Sequence, residues 1–289
     1  MSGFLLSSTL LPKLDAGSLT GQLWKLKVYL HRYLRLTPTI AFVTVFIWKV
    51  LPLLGQGATW WPLAETLEEN CTKYWWVEFV YLTNVFPCRF GGSGCIVVTW
   101  YLANDMQFFL VGVPLVVLYY RNPRASAALV LLLAISSCFY TLWLGFSTGV
   151  RFSVFTPSAV FGSAYAAPWT RCPVYLIGLL CGFVWHTEFR GRKLARYDRN
   201  SEGSGGVLHA RKQTLGSFFS SKAYGGLVVP ASAVLSTLLL FLPVYGTYWA
   251  YQDVATPGIP EWADHLYLAF SRPAWAVGLA LMCALCFCG

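Results

Sequence analysis

The chain has 289 residues, of which 56% are hydrophobic, 17% aromatic and only 11% charged, with a net charge of +9. An ordinary soluble domain carries about 25% charged residues, so a soluble globular enzyme is excluded and the apolar runs point to a helical bundle in a bilayer. The positive charge is placed as a topology signal along the chain, so a nucleic-acid partner is not expected.

A membrane-spanning helix needs about 20 mostly apolar residues. Residues 1–11 are apolar but too few to span, and they lack the basic start and small-residue cleavage site of a signal peptide. Residues 19–36 read as an amphipathic helix. Leu23, Leu26, Leu30 and Leu34 form its apolar stripe, and Lys25, Arg32 and Arg35 lie close to one face. Pro38 is expected to end or bend that helix. The helix would then lie along the inner leaflet and turn into a first span over 38–54.

Residues 55–94 form a long loop rich in tryptophan, tyrosine and phenylalanine, residues that gather at the membrane interface. Its segment 73–86 is expected to lie against the outer leaflet. Asn70-Cys71-Thr72 is an N-glycosylation sequon. Cys71, Cys88 and Cys95 lie in or beside the same loop, where disulfides persist if the loop is luminal. Cys71 with Cys95 is the favoured pair, although spacing alone does not fix the pairing.

The next span ends near Tyr120. Read as one helix from Cys95 it would be roughly 37 Å long, more than a bilayer core of about 30 Å. Trp100, Asn104 and Gln107 then share a face, with Asp105 one residue round. Polar and ionisable groups within a span face the bundle interior or a watery cavity and are functional candidates. The other reading is a hydrated interfacial Asp105, with Asn104 and Gln107 bonding neighbouring helices.

Further spans are expected over 126–149, 168–187 and 225–247, and 273–289 is still apolar at its end. Arg171 stands at the start of the 168–187 span, where it reads as a headgroup anchor. Residues 188–224 form a basic loop broken by the flexible run Ser-Glu-Gly-Ser-Gly-Gly at 201–206. Most of the 21 basic residues fall in 13–35, 121–124 and 188–224, which should therefore be cytoplasmic, with 55–94, 150–167 and 250–272 luminal or exterior. His31, His186 and His265 have no evident partner in the sequence. Cys283, Cys286 and Cys288 lie in an apolar helix without a nearby histidine, so they read as packing residues and no metal is expected.

Several stretches together carry a family resemblance. They are Ser-Gly-Phe-Leu at 2–5, HRYLRLTP at 31–38, CTKYWWVEFVYLTNVFP at 71–87, CIVVTWYLANDMQFFL at 95–110, APWTRCPVYLIGLLCGFV at 167–184 and SRPAWAVGLA at 271–280. In this order the chain resembles the membrane domain of the nose-resistant-to-fluoxetine proteins, the animal branch of the acyltransferase-3 superfamily. The resemblance implies an all-α, multi-pass transmembrane bundle, an incomplete acyltransferase-3 domain over 1–289. It also implies transfer of an acyl group from acyl-CoA, as co-substrate and not bound cofactor, to a hydroxyl of a lipid or small-molecule acceptor. Arg32 and Arg35 match an RxxR motif of the superfamily and would hold the donor phosphates, for which planar bidentate guanidinium groups are suited. On the same resemblance Trp100, Asn104, Asp105, Gln107 and Arg171 would line the acceptor path.

The superfamily's histidine, the presumed general base, belongs to a helix that would precede residue 1. The chain therefore reads as a fragment that is inactive by itself. The competing reading is a lipid- or drug-handling membrane protein without chemistry, followed by a pseudoenzyme that binds a partner through its aromatic loop. The sequon and the loop cysteines place the protein in the secretory pathway, at the endoplasmic reticulum or plasma membrane.

Overall fold

The computed structural model describes residues 2–17, 23–86, 94–149, 165–201, 225–246 and 260–288. Cys88, the 202–206 break and most of the loops 150–167, 188–224 and 250–272 expected from the sequence lie outside the described residues or their described side chains. The protein is all-α, and among the described residues there is no strand. Helices long and apolar enough to cross a membrane run over Trp24–Leu54, Val97–Arg121, Pro123–Thr148 and Glu261–Cys286.

Helix α1 is Ser2–Asp15, about 21 Å long at 1.5 Å per residue. It is too short to span, as the sequence implies, yet it is deeply packed. It lies against α7 (Pro168–Ser201) and α5 (Trp100–Arg121). Small residues make this contact possible. A Cβ added at Gly178 would come within 3.2 Å of the Phe4 nitrogen, one at Gly3 would strike the Tyr175 carbonyl, and one at Gly182 would strike Ser7. Gly178 and Gly182 are four residues apart and face Gly3 and Ser7, themselves four apart. This small-xxx-small pattern lets two membrane helices bring their backbones together.

Helix α6 (Pro123–Thr148) follows α5 after the single residue Asn122. The Asn122 side chain caps α6 by accepting from the Ala125 N–H at 3.3 Å, and Pro123 supplies a helix-ready φ at the first position. Gly149 ends α6 with φ of +63°, a left-handed conformation that costs glycine little. The main core joins α1, α5, α6 and α7 through Leu11, Val113, Val116, Val130 and Leu179, all essentially solvent-free. Helix α9 (Glu261–Cys288) packs on α6, on α7 and on α8 (Gly225–Tyr245).

Helix α2 (Trp24–Val45) corrects one expectation. Pro38 neither ends nor turns it: the α-helix continues to Val45, widens into a π-helical stretch at Phe46–Val50, and closes with α3 (Leu51–Leu54). Proline costs a helix one backbone bond, but an apolar solvent offers the chain nothing better than helix, so prolines are tolerated there. Pro114 and Pro173 likewise stand inside α5 and α7. The Leu23, Leu26, Leu30 and Leu34 stripe is 50–72% exposed, as a surface meeting lipid tails would be.

Most of the 55–94 loop is also helical. Helix α4 (Trp60–Val80) packs against α2, buries Ala64, Cys71, Val77 and Glu78, and leaves Trp75 and Trp76 about half exposed. Cys71 and Cys95 form a disulfide, the favoured pair. Ile47 and Trp48 pack on it, so the bridge ties α4 to the start of α5 and both to the far part of the α2 helix.

Candidate functional site

The polar residues singled out on α5 separate into two neighbouring groups. Asp105 turns toward α2 and forms an ion pair with Arg32. The Arg32 guanidinium also sits 4.2 Å from the centre of the Phe109 ring, a cation–π contact. Its Nε is buried without a hydrogen-bond partner. Tyr29, one turn earlier, donates its hydroxyl to the Leu110 carbonyl at 3.1 Å and meets Phe109 edge to face.

The ion pair fixes where Arg32 stands along α5. Counted back along α5 from the α5–α6 turn, Asp105 lies roughly 24 Å away at 1.5 Å per residue. Arg32 thus lies well away from the α5–α6 end of the bundle. Arg35, three residues on, is exposed and does not join the pair. The two arginines of the RxxR run therefore have different surroundings.

The second group is a closed set of amides. Asn84 donates to the Asn104 Oδ1 at 2.8 Å and to the Gln107 Oε1 at 3.0 Å. Gln107 donates back to the Asn84 Oδ1 at 2.8 Å and to the Tyr81 carbonyl at 2.9 Å. Asn104 donates to the Ala166 carbonyl at 2.8 Å, reaching the segment just before α7. Asn84 and Asn104 are 1% and 3% exposed. Such groups are stable in a low-dielectric interior only when each finds partners.

Asn84 was not read from the sequence as part of the site. It arrives there because α4 ends at Tyr81 with φ of +57°, a left-handed conformation uncommon for a bulky side chain. The Leu82 N–H bonds back to the Val77 carbonyl at 3.2 Å, and the chain then folds under α5. Tyr81 is held by an edge-to-face contact with Tyr33 and by its hydroxyl, 3.2 Å from that of Thr37. Burial raises its phenol above the usual pKa. The backbone strain thus has a visible result, which is to carry Asn84 to Asn104 and Gln107.

Glu78, on the buried side of α4, braces the start of α5. Its Oε1 accepts the Ile96 N–H at 3.1 Å, while Oε2 is buried without a partner. Desolvation raises its pKa, opposed in part by the nearby Thr99 hydroxyl and by the Ile96 N–H. The carboxyl stands beside the Cys71–Cys95 bridge and so acts in holding the site rather than within it.

The remaining sequence candidates fall elsewhere. Trp100 and Arg171 meet at the end of the bundle where α5 and α7 begin: the Arg171 guanidinium lies 5.0 Å from the Trp100 ring centre, and its Nε donates to the Tyr165 carbonyl at 2.7 Å. Asn70 is half-buried inside α4 beside the disulfide. His31 is exposed. His186 is buried with its Nε2 2.9 Å from the Asp15 Oδ2, a link between α7 and α1 that the sequence did not reveal. His265 is buried against Phe146 and Gly145. Among the described residues no cluster of three His, Cys, Asp or Glu side chains could hold a metal ion.

No family model matches the chain, and no solved structure matches it. It is similar to nose resistant to fluoxetine protein 6 of Caenorhabditis elegans, at 26% identity over 96% of this chain. The match spans 31% of that relative's length. This similarity agrees with the resemblance read from the motifs, and the all-α bundle with its helices long and apolar enough to span agrees with a multi-pass membrane protein.

Proposed function

We propose that the full-length protein is a membrane-bound acyltransferase that moves an acyl group from acyl-CoA to a hydroxyl of a lipid or small-molecule acceptor. The observation that carries this reading is the polar interior beside α5, where the Arg32–Asp105 pair and the Asn84–Asn104–Gln107 amides lie within a membrane bundle. Arg35 offers an exposed guanidinium for a donor phosphate, with Arg32 three residues away inside. Asn104 and Gln107 would orient the acceptor, with Trp100 and Arg171 at the mouth of its path. The acceptor hydroxyl attacks the thioester carbonyl and the CoA thiolate leaves. A general base takes the hydroxyl proton, a histidine if the family resemblance holds for the whole protein. As the chain spans about a third of the relative it matches, this activity is proposed for the whole protein, in a membrane of the secretory pathway.

The test is acyl-CoA binding by the purified full-length protein. Arg35→Ala should weaken binding at least tenfold without lowering the melting temperature. Unchanged affinity in the Arg32→Ala, Arg35→Ala double variant would remove the donor role.

A second reading, lipid or drug handling without chemistry, is favoured by one feature: the amides satisfy one another and Asp105 is neutralised by Arg32, so these described polar groups are engaged with each other and not poised as nucleophile or base. Ligand flux in vesicles reconstituted with the full-length protein, with no acylated product, would select it.

A further inference from the structure

At the disulfide end of the bundle two arginines converge on one aromatic ring. Arg171 stands in the first turn of α7, and its guanidinium carbon is 4.2 Å from the centre of the Tyr165 ring and 5.0 Å from that of Trp100. Arg272 comes from α9, and its guanidinium carbon is 5.3 Å from the same Tyr165 ring. Three separate parts of the chain thus deliver two cations and two aromatic faces to one place. The sequence reading named Arg171 and Trp100 but not Arg272 or Tyr165.

The cluster is incomplete as it stands. Arg171 uses its Nε on the Tyr165 carbonyl at 2.7 Å, yet its Nη2 is buried with no hydrogen-bond partner. The Arg272 Nη1 is also buried and also without a partner. Neither arginine forms an ion pair with any described residue. Guanidinium cannot shed its proton at ordinary pH, so the two positive charges cannot escape their mutual repulsion by titrating. Cation–π contacts offset part of the desolvation, but they supply no acceptor for an N–H. Buried donors of this kind require one.

We propose that Arg171 and Arg272 form a binding site for a phosphate group, carried either by a lipid headgroup or by free phosphate, with Trp100 and Tyr165 as its apolar walls. Two guanidinium forks match the several oxygens of a phosphate better than one fork can. A phosphate also carries enough negative charge to offset both cations. The walls exclude water and so strengthen the pairing. The site is separate from the Arg32–Asp105 pair, and although Trp100 and Arg171 also stand at the mouth of the proposed acceptor path, phosphate binding by the two arginines does not require acyl transfer.

The experiment uses the full-length protein in nanodiscs. One arm compares discs of phosphatidylcholine alone with discs containing phosphatidic acid, and native mass spectrometry counts the retained anionic lipid. The other titrates inorganic phosphate into phosphatidylcholine discs and follows tryptophan fluorescence, with Trp100→Phe to identify the reporter. Saturable binding in either arm is expected. It should weaken at least tenfold in Arg171→Gln and in Arg272→Gln, and less in the corresponding lysine variants. The exposed Arg124→Gln control should bind as the wild type does.

Lipid retention that free phosphate does not displace identifies the headgroup as the source, whereas phosphate binding without lipid retention identifies the free anion. Absence of saturable binding in both arms, or equal affinity in the glutamine variants, overturns the site. If those variants do not fold, phenylglyoxal labelling of the wild type replaces them. Bound ligand should protect Arg171 and Arg272 at least fivefold, and unchanged labelling overturns the proposal.

Discussion

Helices α1 and α2 are held to the same bundle by different means. Where α1 meets α7, Gly3 and Ser7 oppose Gly178 and Gly182, and the backbones come close enough that a single added methyl group would collide. Where α2 meets α5, the link is made by long side chains, the Arg32–Asp105 pair and the Tyr29 hydroxyl on the Leu110 carbonyl. Both are answers to one problem. In a bilayer, lipid tails are as apolar as leucine, so helices are joined by close packing or by polar contacts and not by hydrophobic collapse. The packed seam contains little that could take part in chemistry. The polar seam is looser and contains the groups a ligand would use.

Enlarging a residue in the packed seam should do the most damage. Gly182→Leu is expected to cost about 3 kcal/mol or more, since overpacking a closed contact forces backbone movement. The measurement is loss of the monodisperse peak of the full-length protein after heating in detergent. The milder Gly182→Ala should be partly rescued by Ser7→Gly, because the added methyl group collides with the Ser7 side chain. Rescue confined to that pair would show that the seam is specific.

The polar seam should give a smaller loss with a different signature. Arg32→Ala leaves Asp105 unpaired in the bundle, at a cost of about 2 kcal/mol, discounted from a fully buried pair because both side chains keep some exposure. Adding Asp105→Ala should recover part of that cost in a double-mutant cycle. If the two losses add without recovery, the ion pair does not hold α2.

The smallest effect is expected at the brace between α4 and α5. Glu78 has a folded pKa raised above its ordinary 4.5 by burial, so folding favours its protonated form. The associated stability is present below about pH 4.5 and is lost as pH rises through the raised value. The melting temperature should therefore fall by a few degrees across that window, and Glu78→Gln should flatten the slope. An unchanged slope in the variant would assign the pH dependence to other groups.

Much of this arrangement could be read from punctuation in the chain. Gly149 and Pro168, bounds of the expected 126–149 and 168–187 spans, mark helix ends because left-handed φ and ring closure are local properties that need no tertiary partner. The Cys71–Cys95 bridge was the favoured pairing among three cysteines in or beside the 55–94 loop, with Cys88 leaving the choice open. Pro38 was misread because the rule that proline stops a helix assumes that water will accept the freed carbonyl. Asn84 was missed because its position depends on Tyr81 adopting a conformation that residue type does not announce. Arg272 is seen as a partner of Arg171 only once α9 has folded back beside α7. The face shared by Asn104 and Gln107 was legible from helical period, whereas the choice of Asp105 for Arg32 was set by the α2–α5 contact.

The seam between α1 and α7 also bears on how the protein is made. Asp15 and His186, at the end of that contact, are 171 residues apart in sequence. At a synthesis rate of about 5–20 residues per second, the first helix waits roughly 10–30 s before its counterpart leaves the ribosome. During that interval the notch at Gly3 and Ser7 faces lipid or the insertion machinery, a vulnerability that translation speed would govern more than final stability.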